Sequence, residues 1–383
     1  MIKMVQKEDI LTLHRRGVSL RAIANKLFVV NLAGGKNDNT AVFEEILDWL
    51  EPGSQILGWE NNSLLSEDTF VEKISRYGHM MLAADWSYNH TLTSRNYDSR
   101  QSGIRAKTIN PRSIDYEREG NYLSFFLTDG DSYQFIVTDA FVSDYYNLSS
   151  AAAAKMAFEL GTQSLVQLCP TRFTYLFGRQ PSSECTLMET FGGGYYYIDR
   201  FATAGKAAES RPALLKKVAE RTAAHMRQHG VKVLHVMARD FSDPKGREML
   251  QAFVDANDQL EGITGVEYNP YTGGEGEVIW FTNKKGYDIP LITTKYMLWQ
   301  GLSEPKETAL AINEKEPSDG LSFSTVAVHA WSTFDGKRAS DAAVMMASEL
   351  EERFHVVSVQ ELIWRLRMAE RRNQTREYLA TIR

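Results

Sequence analysis

The stretch Asn121–Tyr133 reads NYLSFFLTDGDSY, and its two halves ask different things of the chain. Tyr122, Leu123, Phe125, Phe126 and Leu127 are bulky and apolar, with only Ser124 among them, which is the composition of a buried strand. The run stops at Asp129-Gly130-Asp131, where two carboxylates flank a residue that tolerates almost any backbone conformation. A plain turn would account for such a tripeptide, since Asp and Gly are common turn formers. An α/β protein, however, places its chemistry at the carboxyl ends of its strands, and that is where these carboxylates stand.

Outward from this stretch, strand and helix patterns alternate almost to the end. Strands are expected at Phe28–Leu32, Gln55–Trp59, His79–Ala84, Tyr122–Thr128, Leu165–Leu168, Val231–Ala238, Gly265–Tyr268, Val278–Phe281, Leu291–Thr294, Thr325–Trp331 and Phe354–Val359. Helices are expected between many of them, at Ala41–Leu50, Glu67–Tyr77, Ala151–Leu160, Ala213–His229, Gly246–Asn257 and Ala339–Glu352. The alternation implies a parallel sheet with helices outside it. The expected fold is therefore α/β, a TIM-like (β/α) barrel, regular or distorted, over residues 28–383. A helical segment (1–27) leads into it, and an amphipathic helix over Glu361–Arg383 closes it, with Leu362, Trp364, Leu366 and Met368 on its apolar side. Arg95–Glu119 is polar and irregular, and reads as a long surface excursion.

Composition narrows the function classes. The 383 residues are 43% hydrophobic and 24% charged, as in a globular protein rather than a disordered chain. A net charge of −6 argues against a nucleic-acid surface. Residues 7–27 carry a GxSxxxIA phrase that resembles the first half of a helix-turn-helix, but the apolar LFVVNLAGG follows where the recognition helix should stand. No GxGxxG follows the first strand and no GxxxxGK[ST] occurs, so no nucleotide or other cofactor is indicated. The two cysteines, Cys169 and Cys185, belong to no zinc pattern, and no metal site is expected. His225 and His229 have metal-ligand spacing, but they sit in HMRQH at a polar helix end and read as solvated. No apolar run approaches the ~20 residues of a membrane span, and the N-terminus lacks the apolar core of a signal peptide. Localisation stays open between the cytoplasm and a chain that begins downstream of an export signal.

If the sheet is a barrel, the residues just beyond its strands face one mouth. They are Trp59 and Glu60 after the second strand, Asp85 and Asn89 after the third, and Asp129 and Asp131 after the fourth. Later strands deliver Lys295, then His329 and Trp331. Carboxylates, amides, a lysine, a histidine and indoles on one face suit a sugar or another polyol. Carboxylates handle protons and accept from hydroxyls, while indoles stack on the ring. Asp129, Asp131, Glu60 and His329 are the catalytic candidates. Two close carboxylates repel, which raises one pKa and leaves the other group ionised. The pair could equally share a divalent cation through its oxygens.

The most distinctive stretch is Thr190–Arg200, TFGGGYYYIDR, preceded by Glu189. Here the chain resembles the GxGYxYP putative glycoside hydrolases. Gly192, Gly194, Tyr195 and Tyr197 match the name motif, with Ile198 in place of the final proline. LTDGDS at Leu127–Ser132 is similar to the family's SDGDN element, with Ser132 for the asparagine, and TKYMLWQG (294–301) and VHAWSTF (328–334) resemble later family phrases in the same order. The resemblance implies a TIM-like barrel acting on carbohydrate, and a chain that is mainly the C-terminal region of a longer architecture. The two departures mark a divergent branch.

The leading expectation is a carbohydrate-active enzyme that hydrolyses glycosidic bonds with paired carboxylates at the carboxyl face of the barrel. Trp59, Asp85, Asn89, Glu189, Gly192, Gly194, Tyr195, Tyr197, Lys295 and Trp331 form the expected substrate-binding set. A metal-dependent polysaccharide deacetylase, with the aspartates and His329 around a cation, is one alternative. A non-catalytic carbohydrate-binding barrel is another. The partner is carbohydrate in all three, and oligomeric state is open.

Overall fold

The computed structural model describes residues 40–60, 65–84, 103–130, 132–137, 148–190, 192–268, 273–318 and 320–382. The leading helix and first strand expected within 1–32 lie outside them. In chain order the strands are β1 (Gln55–Leu57), β2 (Met80–Leu82), β3 (Gly120–Thr128), β4 (Ala157–Glu159), β5 (Leu187–Thr190) and β6 (Val233–Ala238). There follow β7 (Gly262–Glu267), β8 (Val278–Thr282), β9 (Asp288–Thr293), β10 (Tyr296–Leu298), β11 (Leu321–His329) and β12 (Phe354–Val356).

β3 is the spine. Every residue from Asn121 to Thr128 is buried, as the apolar run requires of a strand covered on both faces. It pairs in parallel with β11 along its whole length, with β12 through its first half and with β4 through its second. The sheet runs β10-β11-β3-β4-β5-β6-β7-β9-β8, parallel except for the β8–β9 hairpin. The result is a curled, mostly parallel sheet flanked by helices. Its two ends meet one stretch of chain: β9 pairs with β7, and after two residues β10 pairs with β11. At that junction Thr294 N–H donates to Gly265 O at 2.8 Å, and Lys295 N–H to Thr325 O at 3.3 Å.

Three expectations are corrected. Leu165–Leu168 is not a strand but the end of a helix, Thr162–Leu168, and the neighbouring strands are the short β4 and β5. Helix propensity in the alanine run at 151–154 masks β4, whose three residues become a strand only through burial between neighbours. β1 and β2 do not join the main sheet; with the helices Thr40–Trp49 and Glu67–Arg76 they make a separate two-stranded parallel unit. Finally, Ile109, Ile114 and Tyr116 of the expected surface excursion pack against Trp364, Met368 and Leu379.

The chain closes with two helices, Val359–Glu370 and Arg372–Thr381. Ser358 starts the first, its hydroxyl accepting the Glu361 N–H at 3.1 Å, while the Glu361 carboxylate pairs with Arg365 one turn on. This helix lies across the amino ends of the strands. Trp364 Nε1 and Gln360 Nε2 each donate to Glu261 at 2.7 Å, just before β7, and Ile363 packs against Gly262. The opposite, carboxyl-end mouth is where the polar strand ends gather.

Candidate functional site

β3 ends at Thr128, and Asp129 is the first residue past it. Its backbone is pinned from below by Glu159, the last residue of β4. One Glu159 oxygen accepts the Asp129 N–H at 2.8 Å and the other accepts the Thr128 hydroxyl at 3.0 Å. Glu159 is fully buried, as is His235 on β6, whose Nε2 lies 3.6 Å from the Glu159 carboxylate and 3.0 Å from the Thr128 hydroxyl. Burial pushes His235 down to about 3, so this layer holds a neutral imidazole beneath the site.

The Asp129 side chain meets His329, the last residue of β11, with Nε2 3.3 Å from Oδ1. Both side chains are nearly covered, at 13% and 11% exposure. His329 is oriented twice more: Nδ1 lies 2.7 Å from the Ser332 hydroxyl, and the ring stacks on Trp299 with centroids 3.5 Å apart. Trp299 directly follows β10, so three neighbouring strand ends build this corner.

Gly130 ties that corner to the glycine–tyrosine stretch. It has φ +76°, and a Cβ there would stand 2.5 Å from the Tyr195 ring. Tyr195 and Tyr197 meet edge to face, their hydroxyls 3.3 Å apart, and Tyr197 stacks on Tyr268 beyond β7. Arg239, just past β6, lies over the Tyr197 ring and donates to Tyr268 O at 2.9 Å. Its other end grips the β1–β2 unit, with ion pairs to Asp68 at 2.8 Å and Glu72 at 3.6 Å. Glu67, the first residue of the helix Glu67–Arg76, is half-buried beside this cluster. Burial first, then the adjacent Asp68, raise the Glu67 pKa; His329 and the Tyr268 hydrogen bond oppose the rise. His329, Asp129, Gly130, Tyr195, Tyr197 and Tyr268 thus form one row of neighbours.

The structure brings together Asp129, His329, Tyr195 and Tyr197 of the expected set. Tyr195 and Tyr197 are buried, at 2% and 0% exposure, and so back the site instead of walling it. Gly192 and Gly194 shape the turn that joins the β1–β2 unit. A Cβ on Gly194 would meet Met81 O at 2.8 Å, where Met81 and Tyr195 exchange backbone hydrogen bonds. Glu189 is not at the mouth: it is fully buried, accepts the Gln163 N–H at 3.2 Å, and is pushed up to about 8 by burial. Lys295 is held 2.6 Å from Glu316. Trp331 is half-buried against Phe135, while Trp59 and Glu60 follow β1 and are half-buried, Trp59 against the core. Asp131, Asp85 and Asn89 lie outside the described residues. His229 is buried, not solvated, with Nδ1 2.9 Å from Ile104 O; burial lowers its pKa and carries His225 down to about 4.

Sequence reasoning missed Tyr268 and the role of Trp299. Tyr268 was legible as the end of an expected strand. Among the described residues no group of three or more His, Cys, Asp or Glu is placed to hold a metal ion. No described helix is long and apolar enough to cross a membrane.

The sequence matches the GxGYxYP putative glycoside hydrolase C-terminal domain over residues 120–367 and the GxGYxYP third domain over residues 15–95. Among solved structures it is similar to a putative hydrolase from Bacteroides thetaiotaomicron, with a TM-score of 0.67 at 17% identity. That likeness covers 87% of this chain and 60% of the other, so the chain spans less than two thirds of that protein. No curated protein matches the chain.

Proposed function

The chain belongs to the GxGYxYP putative glycoside hydrolase family, and from that premise we propose that it hydrolyses glycosidic bonds at the carboxyl-end mouth of its sheet. The observation that carries the reading is the Asp129–His329 pair at 3.3 Å, ringed by aromatic side chains. Asp129 is the charged carboxylate that meets the anomeric centre. His329 orients it at 3.3 Å, and Glu159 fixes its backbone from behind. Half-buried Trp299, Trp331 and Tyr268 offer the flat apolar surface on which a sugar ring stacks.

In this reading the sheet is a distorted (β/α) barrel. The support is the stretch 288–298, which pairs with β7 at one end and β11 at the other. β8 and β12 would be wedges that loosen the regular form. The test is release of reducing ends from a panel of oligosaccharides by the wild type and Asp129→Asn. A fall of about 10³-fold or more is expected from losing a carboxylate that acts in the transition state. Hydrolysis by Asp129→Asn at the wild-type rate would overturn the assignment.

A further inference from the structure

We propose that Ser332 is a positioning residue of this site: its hydroxyl donates to Nδ1 of His329 and so fixes the neutral ring whose Nε2 proton faces Asp129. What that placement does for a reaction rests on the glycosidase reading above. The placement itself rests on the directions of the hydrogen bonds. Ser332 lies just past the end of β11, where its N–H donates to His329 O at 3.3 Å and the turn returns its side chain to the ring. It is 2% exposed, and two groups approach its hydroxyl oxygen. The backbone N–H of Gln300 donates to it at 2.9 Å, and Nδ1 of His329 lies 2.7 Å away. The Gln300 N–H can only donate, so it takes up one side of that oxygen. Among the described residues, Nδ1 is the one acceptor within reach of the hydroxyl proton.

A buried donor with nothing to donate to is costly, and either other form of the ring creates one. If Nδ1 carried the proton, or both nitrogens did, Ser332 would receive two donors and its own proton would be stranded. The hydroxyl therefore donates, Nδ1 is bare, and the ring proton is on Nε2. Nε2 lies 3.3 Å from Asp129 Oδ1, so an N–H faces that oxygen, where the other tautomer would set a lone pair against it. Turning the ring over would present carbon to both partners. Trp299 holds the ring against tilting, stacked on it at 3.5 Å and 11°. The indole is set in turn by Ser303, whose hydroxyl accepts the Trp299 N–H at 3.1 Å and whose own N–H donates to Trp299 O at 2.8 Å. Gln300 Oε1 accepts both the N–H and the hydroxyl of Thr333 at 3.1 Å. The phrases TKYMLWQG and VHAWSTF are thus two halves of one device that presents a histidine proton to Asp129.

The test reads the ring directly, by long-range nitrogen–proton correlation spectra at neutral pH of protein labelled in its histidines. Loss of signals in His329→Gln assigns the ring, and the remaining histidine signals report that each variant is folded. Wild type is expected to show the Nε2–H tautomer, and Ser332→Ala the Nδ1–H tautomer or a mixture. Thr333→Ala removes a neighbouring hydroxyl but not the contact to the ring, so it is expected to keep the wild-type signature. In parallel, kcat on a cleaved oligosaccharide is expected to fall about 2- to 10-fold in Ser332→Ala, as for one neutral hydrogen bond, with KM unchanged. Thr333→Ala is expected to turn over at the wild-type rate. A wild-type ring protonated on Nδ1, or an unchanged tautomer in Ser332→Ala, would overturn the assignment. So would the same change in both variants, which would mark a loosened turn. A changed tautomer with undiminished kcat would overturn the role of Ser332 in the reaction. A wild type that shows the expected tautomer but cleaves no glycoside would overturn the glycosidase reading and leave the hydrogen-bond assignment standing.

Discussion

Asp129 and Glu189 are both carboxylates at strand ends, and burial separates what they can do. Asp129 keeps an opening to the mouth and a histidine partner, whereas Glu189 is sealed off with only amide and hydroxyl donors for company. A carboxyl held near 8 in the folded state and near 4.3 unfolded binds more protons when folded throughout that window. Stability therefore falls as pH rises from about 4.3 to about 8, and is flat above. Glu189→Gln, which keeps the neutral shape, is expected to remove that slope, read as thermal midpoints against pH. An unchanged slope would show that Glu189 is ionised in the fold. His235 gives the opposite limb: it stays neutral when folded, so stability drops as pH falls from about 6.5 toward 3. Asp129 was legible because a long apolar run ends beside it. The role of Trp299 was not, because the three-residue β10 that presents it carries no pattern of its own.

At the scale of the element, the two motifs that first marked the sequence prove to be one joint. Gly130 lies under Tyr195, and Tyr195 bridges to Met81 of β2. Gly130→Ala must place a methyl into that ring at a left-handed φ, a backbone penalty of about 1–3 kcal/mol before any clash. It is expected to lower the thermal midpoint and to cost catalytic activity together, since Asp129 is the next residue. A variant with wild-type stability and turnover would contradict the packing. At the other end, Trp364→Ala removes a fully buried indole and the donor it gives to Glu261. The expected loss is about 3–5 kcal/mol by denaturant unfolding, with activity per folded molecule unchanged. The strands that sequence missed, β4, β5 and β10, are three, four and three residues long, too short for periodicity to register.

For the whole molecule, the alternation of strands and helices was enough to indicate an α/β sheet with a polar mouth, because the apolar stretches of β3, β6 and β11 give way at Asp129, Arg239 and His329. What the alternation concealed is that β1 and β2 are a separate unit. Their strands read like any others, and only hydrogen bonding assigns them to a different sheet. That unit docks through the Met81–Tyr195 bridge, the Arg239 ion pairs and the Gln55 amide, which donates to Gly193 O at 2.7 Å. The mouth thus carries Asp129 and His329 from the sheet, with the docked unit held beside it through Arg239. The most direct test is a crystal structure of Asp129→Asn soaked with an oligosaccharide that the wild type cleaves. The expected result is a sugar unit at the mouth with its anomeric carbon facing residue 129. A glycan bound at any other surface, with this mouth empty, would contradict it.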